Sequence, residues 1–406
     1  MISRAQTERL LASAALVLCA FLLLRPLYAP DAAYPPFDLI HFWRAGAAWA
    51  AGGHPYAAAF EEAVLPGGYL VRPFFYPPAA RVFFEPLGRL SFEEARLVVA
   101  LAALPVWGAV AVLTARALPS RVSFPLRLAG VSLALVLALP QVRLATEGGQ
   151  VTPLVAAALA GLLWATRGGR SLLAVPCLFV LLLKPPLGVA VCLVLFLRGG
   201  RLRTLTLTGL AVALATLWGL NGDPALITGF LHNAARYAGF VENGPLYASG
   251  LAVPLHHLGL PAPSGLVLTG LLIVAAAALG ASRTPPSHAL LGVTCISLLL
   301  LPTHSYDYLL LVPFAPVLWW ARGAARALVL PAGLVLAQAS ALAKAGQSVG
   351  IVPPGGDGAG FLRAATVLDT GAILVLTLGV AFLVAAPSGR AQTAGPAPRR
   401  LVRVPG

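Results

Sequence analysis

The sequence is short of charge. Only 10% of its residues are Asp, Glu, Lys or Arg, against about 25% in an ordinary soluble domain, so water is not its main solvent. Lysine is nearly missing: Lys184 and Lys344 are the only two among 28 basic residues. Cysteine is scarce as well, and Cys19, Cys177, Cys192 and Cys295 each sit inside an apolar run, without a CxxC pair or a histidine at ligand spacing. That excludes a disulfide framework and a thiolate metal site and leaves four buried thiols. No polar stretch reaches the roughly 50 residues that a separate soluble domain requires. A short-period repeat of the solenoid kind is lacking too.

What is present is apolar sequence, 59% of the chain. It falls into runs of roughly 15 to 20 residues, the length that about 30 Å of hydrocarbon requires. Twelve spans are expected, near 9–28, 94–115, 124–142, 151–166, 171–184, 186–198, 204–221, 263–281, 287–303, 306–321, 326–343 and 366–386. The opening MISRAQTER and the run to Leu24 have the look of a secretory signal, but no small-residue cleavage site follows, so they are read as the first span. Phe74 to Leu90 is apolar yet carries Arg81 and Glu85, and it reads as an interfacial or re-entrant helix.

A net charge of +14 would suggest nucleic acid in a soluble protein. Here the arginines form short clusters between apolar runs, which is a topology signal and gives no reason to expect a nucleic-acid partner. Arg4 and Arg9, Arg116 to Arg127, Arg167 and Arg170, Arg198 to Arg203, Arg283, Arg322 and Arg326, and the tail from Arg390 fall on one side, the cytoplasm. Asp31, Asp38, Glu61, Glu62, Glu147, Asp223, Glu242 and Asp357 fall on the other. The expectation is an all-α polytopic membrane protein, one integral domain over 1–386. It has an outer loop at 29–93 bearing interfacial helices, further outer loops at 222–262 and 344–365, and a disordered basic cytoplasmic tail at 387–406.

Within the first outer loop, PPFDLIHFWRAGAAWAAGGHPY holds Asp38 and His41 at the start of a short helix on the membrane surface. Two readings of Asp38 are open at this point: a reactive carboxylate at headgroup height, or a helix cap, for which Asp is favoured. Arg72 precedes PFFYPP, which contains Tyr76. Its guanidinium either forks onto phosphate oxygens or snorkels to lipid headgroups, with the aromatics as an interfacial belt. Lys184 interrupts CLFVLLLKPPLGVAVCLV, where an intramembrane cation is a functional hypothesis by default and snorkelling is the alternative. Gln150 in LATEGGQVTPL stands at the start of a helix, where capping would also account for it. LLLLPTHSYDYLLLVP sets His304, Asp307 and Tyr308 in a turn between apolar helices, with Asp307 free to pair with His304.

The order FDLIHFWRAGAAWAAGGHPY, FFYPP, EGGQVTPL, LLLKPPLGV, ENGPL and PTHSYDYLLLVP resembles the polyprenyl-phosphate-mannose-dependent mannosyltransferases of glycosyltransferase family 87, part of the GT-C superfamily of membrane glycosyltransferases. The resemblance runs over about residues 10 to 385, with departures at Thr152 and at Asn243 to Pro245. It implies a GT-C bundle and an acidic residue of the first outer loop, here Asp38, as catalytic base. It also implies a polyprenyl-phosphate-linked donor of mannose or another hexose or pentose, and a lipid or glycan acceptor. Arg72, Lys184 and His304 are the candidates for the donor phosphate, and His41, Tyr76, Gln150, Asn243 and Asp307 for the rest of the substrate. The outer loops lack the clustered carboxylates of a divalent site, so no metal and no other cofactor is expected. The protein is then expected in the cell membrane, with its site on the periplasmic or extracellular face. The competing classes are a transporter or flippase that uses Lys184, His304 and Asp307 as a polar path, and a non-catalytic assembly subunit.

Overall fold

The computed structural model describes residues 3–23, 37–56, 63–65, 69–71, 73–117, 122–168, 171–221, 223–237, 243–244, 248–261, 263–319, 323–349 and 359–385. Arg72, the middle of the loop expected over 344–365 and the basic tail lie outside them, and the two ends of that expected loop continue helices. The chain is built of helices. In order they are α1 (Arg4–Leu23), α2 (Phe37–Ala50), α3 (Arg81–Gly88), α4 (Phe92–Ala117), α5 (Phe124–Leu137), α6 (Leu139–Glu147), α7 (Thr152–Gly168), α8 (Ala174–Leu181), α9 (Pro185–Leu197) and α10 (Gly200–Asn221). Then come α11 (Ala225–Tyr237), α12 (Ala252–His257), α13 (Gly265–Ala281), α14 (Pro286–Leu300), a 3₁₀ segment Ser305–Phe314, α15 (Ala315–Trp319), α16 (Gly323–Ser348) and α17 (Ala359–Ala385). One small exception is an antiparallel hairpin pairing β1 (Ala63–Leu65) with β2 (Tyr69–Val71), Val64 opposite Leu70.

Among the described residues two stretches are long and apolar enough to cross a membrane, Phe92–Ala117 and Arg363–Ala385. The number rises to four if each of two bent pairs, α5 with α6 and the two halves of α16, forms one span; each pair bends by 72°. The apolar helices α7, α9, α13 and α14 are shorter. The twelve runs in the sequence therefore become a set of unequal helices. The run expected over 124–142 breaks at Ala138, and Pro140, which lacks a backbone donor, stands in the first turn of α6.

The layer that carries the site begins with α2 and α3. Leu39, Phe42, Ala45, Gly46 and Trp49 recur at helical spacing, and all are buried. The expected interfacial helix is here only eight residues, α3, too short to span. It lies directly on α2 because both contact points are glycine: a Cβ on Gly46 would overlap the Phe84 carbonyl, and one on Gly88 the Gly46–Ala47 peptide. Around this contact Phe42 stacks on Phe84 at 4.4 Å and meets Tyr76 edge-on at 4.9 Å. Phe74 meets Trp49 edge-on at 5.4 Å. The aromatics of the FFYPP stretch do not form a surface belt as a group, since Phe74 and Tyr76 are buried. Burial of their backbone is made tolerable by two donors, Tyr56 Oη to the Tyr76 carbonyl at 2.6 Å and Asn233 Nδ2 to the Phe74 carbonyl at 3.0 Å. Behind this layer α7 is enclosed by α4, α8 and the 3₁₀ segment, with Val155, Ala156, Leu159 and Leu162 fully buried.

Candidate active site

Four breaks in helical structure converge on one polar cluster. The first is the start of α2. Asp38 lies within its first turn, beyond the boundary position that a cap occupies, and its carboxylate accepts a hydrogen bond from Gln150 Nε2. The second is the α6–α7 turn, Gly148 to Val151, which carries Gln150. Gly149 takes φ +73°, and a Cβ there would run into Leu39, so this position needs glycine for both conformation and space. The Leu39 N–H donates to the Gly148 carbonyl at 3.0 Å, tying the residue after Asp38 to the turn that holds Gln150.

The third break is Lys184, between α8 and α9. Pro185 and Pro186 end the preceding helix and start the next, because the residue before a proline is driven out of helical geometry; Lys184 has φ −111° and ψ 82°. Its ammonium pairs with Asp307 Oδ1 and lies 5.9 Å from the Tyr306 ring centre. The fourth is the entry to the 3₁₀ segment. There His304 and Asp307 form a reciprocal cap, with the His304 N–H donating to Asp307 Oδ2 at 3.4 Å. Asp307 also accepts from Thr152 Oγ1 at 2.9 Å. The main cation facing Asp307 is thus Lys184, while its contact with His304 runs through the backbone. The His304 ring stacks on Tyr306 at 5.4 Å.

Electrostatics separate the two carboxylates. Asp307 has an ammonium, a hydroxyl and a backbone N–H on its oxygens, whereas the partner seen on Asp38 is a neutral amide. Burial drives the Asp38 carboxyl up from 3.8 to about 7. The Gln150 hydrogen bond and the Lys184 charge oppose that rise, and the nearby Asp307 adds to it. The Tyr76 hydroxyl is held well above its usual range, first by burial and then by the Asp38 charge, which places this phenol near that carboxylate.

Of the residues singled out in the sequence, Asp38, Gln150, Lys184 and Asp307 are gathered here, with Tyr76 and His304 at the edge. His41 is half-buried one turn beyond Asp38 on α2. Asn243 stands a layer back: it is buried, and its amide donates to the Tyr237 carbonyl at 2.6 Å while the Tyr237 ring stacks on Phe75 at 3.9 Å. Arg72 is outside the described residues. Three residues were not singled out. Thr152, visible in the sequence only as a departure from a family pattern, supplies a hydroxyl to Asp307. Tyr306 lies inside the THSYDY stretch and faces the lysine. Asp369 is buried in α17, its Oδ1 without a partner among the described residues. An ionisable residue inside an apolar helix was the signal for it.

A groove between α3 and α4 touches this cluster at Gln150. Leu39, Phe42, Phe84, Val106, Val151 and Gln150 are among its lining residues, and the wall is overwhelmingly apolar. Its far side includes Val98, which is 44% exposed on the outer surface of α4.

Helices that cross a membrane, and a polar cluster at helix breaks beside an apolar groove, define a membrane protein with a site for an amphipathic substrate. The model of glycosyltransferase family 87 matches residues 74–303, more than half of the chain. The chain belongs to glycosyltransferase family 87 and is a membrane glycosyltransferase. A comparison with curated proteins gave no match. The matched stretch contains Gln150, Thr152 and Lys184; Asp38 precedes it and Asp307 follows it, and the fold brings both to the same cluster.

Proposed function

We propose that the protein transfers a sugar from a polyprenyl-phosphate donor to a lipid or glycan acceptor on the outer face of the cell membrane, with Asp38 as general base. The sugar is mannose or another hexose or pentose, and the bundle is of the GT-C kind with about twelve spans. The observation that carries this reading is one polar cluster that holds a carboxylate bonded to a neutral amide, Asp38, and a fixed cation, Lys184, with that amide, Gln150, also lining an apolar groove.

The chemistry is one displacement. The acceptor hydroxyl attacks the anomeric carbon, its proton passes to Asp38, and the bond from that carbon to the phosphate oxygen breaks. The configuration at the anomeric centre inverts. Polyprenyl phosphate leaves with the electron pair, and the charge on its oxygens is met by Lys184, His304 and Arg72. Asp38 suits its part because a base titrating near neutral pH is ionised in about half of the molecules and is still basic enough to take a proton. The isoprenoid lies in the groove past Phe42 and Phe84 toward Val98, where a chain has lipid on one side and the site on the other. Tyr76, His41, Asn243 and Asp307 serve the sugar and acceptor, directly or through their neighbours.

The test uses purified protein in liposomes with a polyprenyl-phosphate-linked sugar. Asp38→Asn keeps the shape and still accepts from Gln150, but it takes no proton at neutral pH. Turnover is expected to fall by about two to four orders of magnitude with donor binding retained. Full activity in this variant would end the assignment.

A further inference from the structure

The turn between α6 and α7 does more than connect two helices. Gly148 and Gly149 lie against the first turn of α2, backbone to backbone, with the Leu39 N–H on the Gly148 carbonyl and no room for a Cβ at residue 149. The Gln150 N–H is itself anchored on the Ala145 carbonyl at 2.8 Å. From this fixed base two side chains reach two different carboxylates: the Gln150 amide donates to Asp38 Oδ2, and the Thr152 hydroxyl to Asp307 Oδ1. Gln150 is 7% exposed, and one of its two amide N–H groups is directed at Asp38.

We propose that Gln150 is a positioning residue for Asp38 and not a ligand of the sugar. By holding Oδ2, its amide orients the carboxylate and leaves Oδ1 as the atom that takes the acceptor proton. The inference rests on the reading of Asp38 as base. An amide suits this role, because it donates to the carboxylate before proton transfer and, turned over, accepts from the carboxylic acid afterwards. A second cation in its place would hold the carboxylate ionised and weaken it as a base. Thr152 completes the device, since it keeps Asp307 on Lys184 and away from Asp38, so the two like charges have separate partners.

The groups that face Asp38 from other elements are Gln150 from the turn, Lys184 from the α8–α9 break, Asp307 and Tyr306 from the 3₁₀ entry, and Tyr76. Of these, Gln150 supplies the hydrogen bond that favours the ionised form. Its removal raises the acidity limit of the reaction. In Gln150→Leu the acid limb of kcat/KM for the donor is expected to move to higher pH by about one to two units, as loss of a hydrogen bond to a charged group implies. kcat at neutral pH falls, and the KM for a polyprenyl-phosphate sugar changes less than about twofold. Gln150→Glu is isosteric and guards against misfolding: a second carboxylate beside Asp38 moves the acid limb the same way and further. An acid limb unmoved in Gln150→Glu, or a loss seen as raised donor KM at unchanged kcat, would overturn the proposal. The underlying reading fails separately, by an active Asp38→Asn. With Asp38→Asn inactive and the limb unmoved, only the role of Gln150 falls.

Discussion

At the scale of a residue, the cluster shows function and stability pulling apart. Asp38 lies outside the spanning helices, and burial holds its carboxyl at about 7 against 3.8. Between those values the folded state keeps a proton that the unfolded chain has released, so stability falls as pH rises through this window, and above about 7 the full cost is present. Asp38→Asn has no such cost. Its melting temperature in detergent should exceed that of the parent above pH 7, and the difference should vanish below about pH 4, where both forms are neutral. Equal melting curves at pH 8 would mean that water reaches the carboxylate. On the proposed reading of Asp38 as base, this stored cost is a trade of stability for activity. Lys184 shows the other arrangement, a cation kept in place by its pair with Asp307.

At the scale of an element, α2 and α3 form the platform for that carboxylate, and its thickness is set by two glycines. Gly46→Ala should improve intrinsic helix propensity by about 1 kcal/mol. The added methyl, however, meets the Phe84 carbonyl, which belongs to the backbone and has no rotamer to move. Overpacking of this kind costs typically about 1 to 3 kcal/mol, and it wins. A lower melting temperature for Gly46→Ala, together with reduced transfer because α2 carries Asp38, is the expected result; a more stable protein would show that the helices separate freely. The α6–α7 turn behaves likewise, since Gly149 has both a positive φ and Leu39 in the way. The elements that matter most are those the apolar pattern describes least well, namely the breaks.

At the scale of the whole molecule, all four breaks bring their polar groups to one place. On the proposed topology the arginine clusters mark the opposite, cytoplasmic end. A cysteine at exposed Ala51, next to α2, should react with an impermeant reagent in intact cells, while one at exposed Arg283, between α13 and α14, should not. The reverse pattern would put the site on the cytoplasmic side and remove the lipid-linked donor from the outer leaflet. Asp369 fits the same polarity. It is buried in α17 next to Thr370, whose hydroxyl accepts from the Gly250 N–H at 3.2 Å, and Gly250 adjoins the Ser249–Thr303 bridge that leads into the 3₁₀ entry.

The amino-acid sequence by itself determined the solvent, the helical class and the family resemblance, because these depend on quantities that add along the chain: apolar length, charge frequency and the order of short motifs. It also marked Asp38, Gln150, Lys184 and Asp307 as unusual, since a polar group beside apolar runs is costly wherever it ends up. It left open what each one touches. That Asp38 meets Gln150 across 112 residues, and Lys184 meets Asp307 across 123, is a property of how helices pack, and close packing depends on glycines, prolines and ring contacts that have no periodic signature. For the same reason only the tertiary structure moved Asp38 from the cap position into the helix, drew Phe74 and Tyr76 into the core, gave Asp307 to Lys184, and put Thr152 to use. Composition fixes how much polar surface must be hidden or used; the fold alone decides which polar groups share a site, because hydrogen bonds act over about 3 Å and sequence distance says nothing about that length.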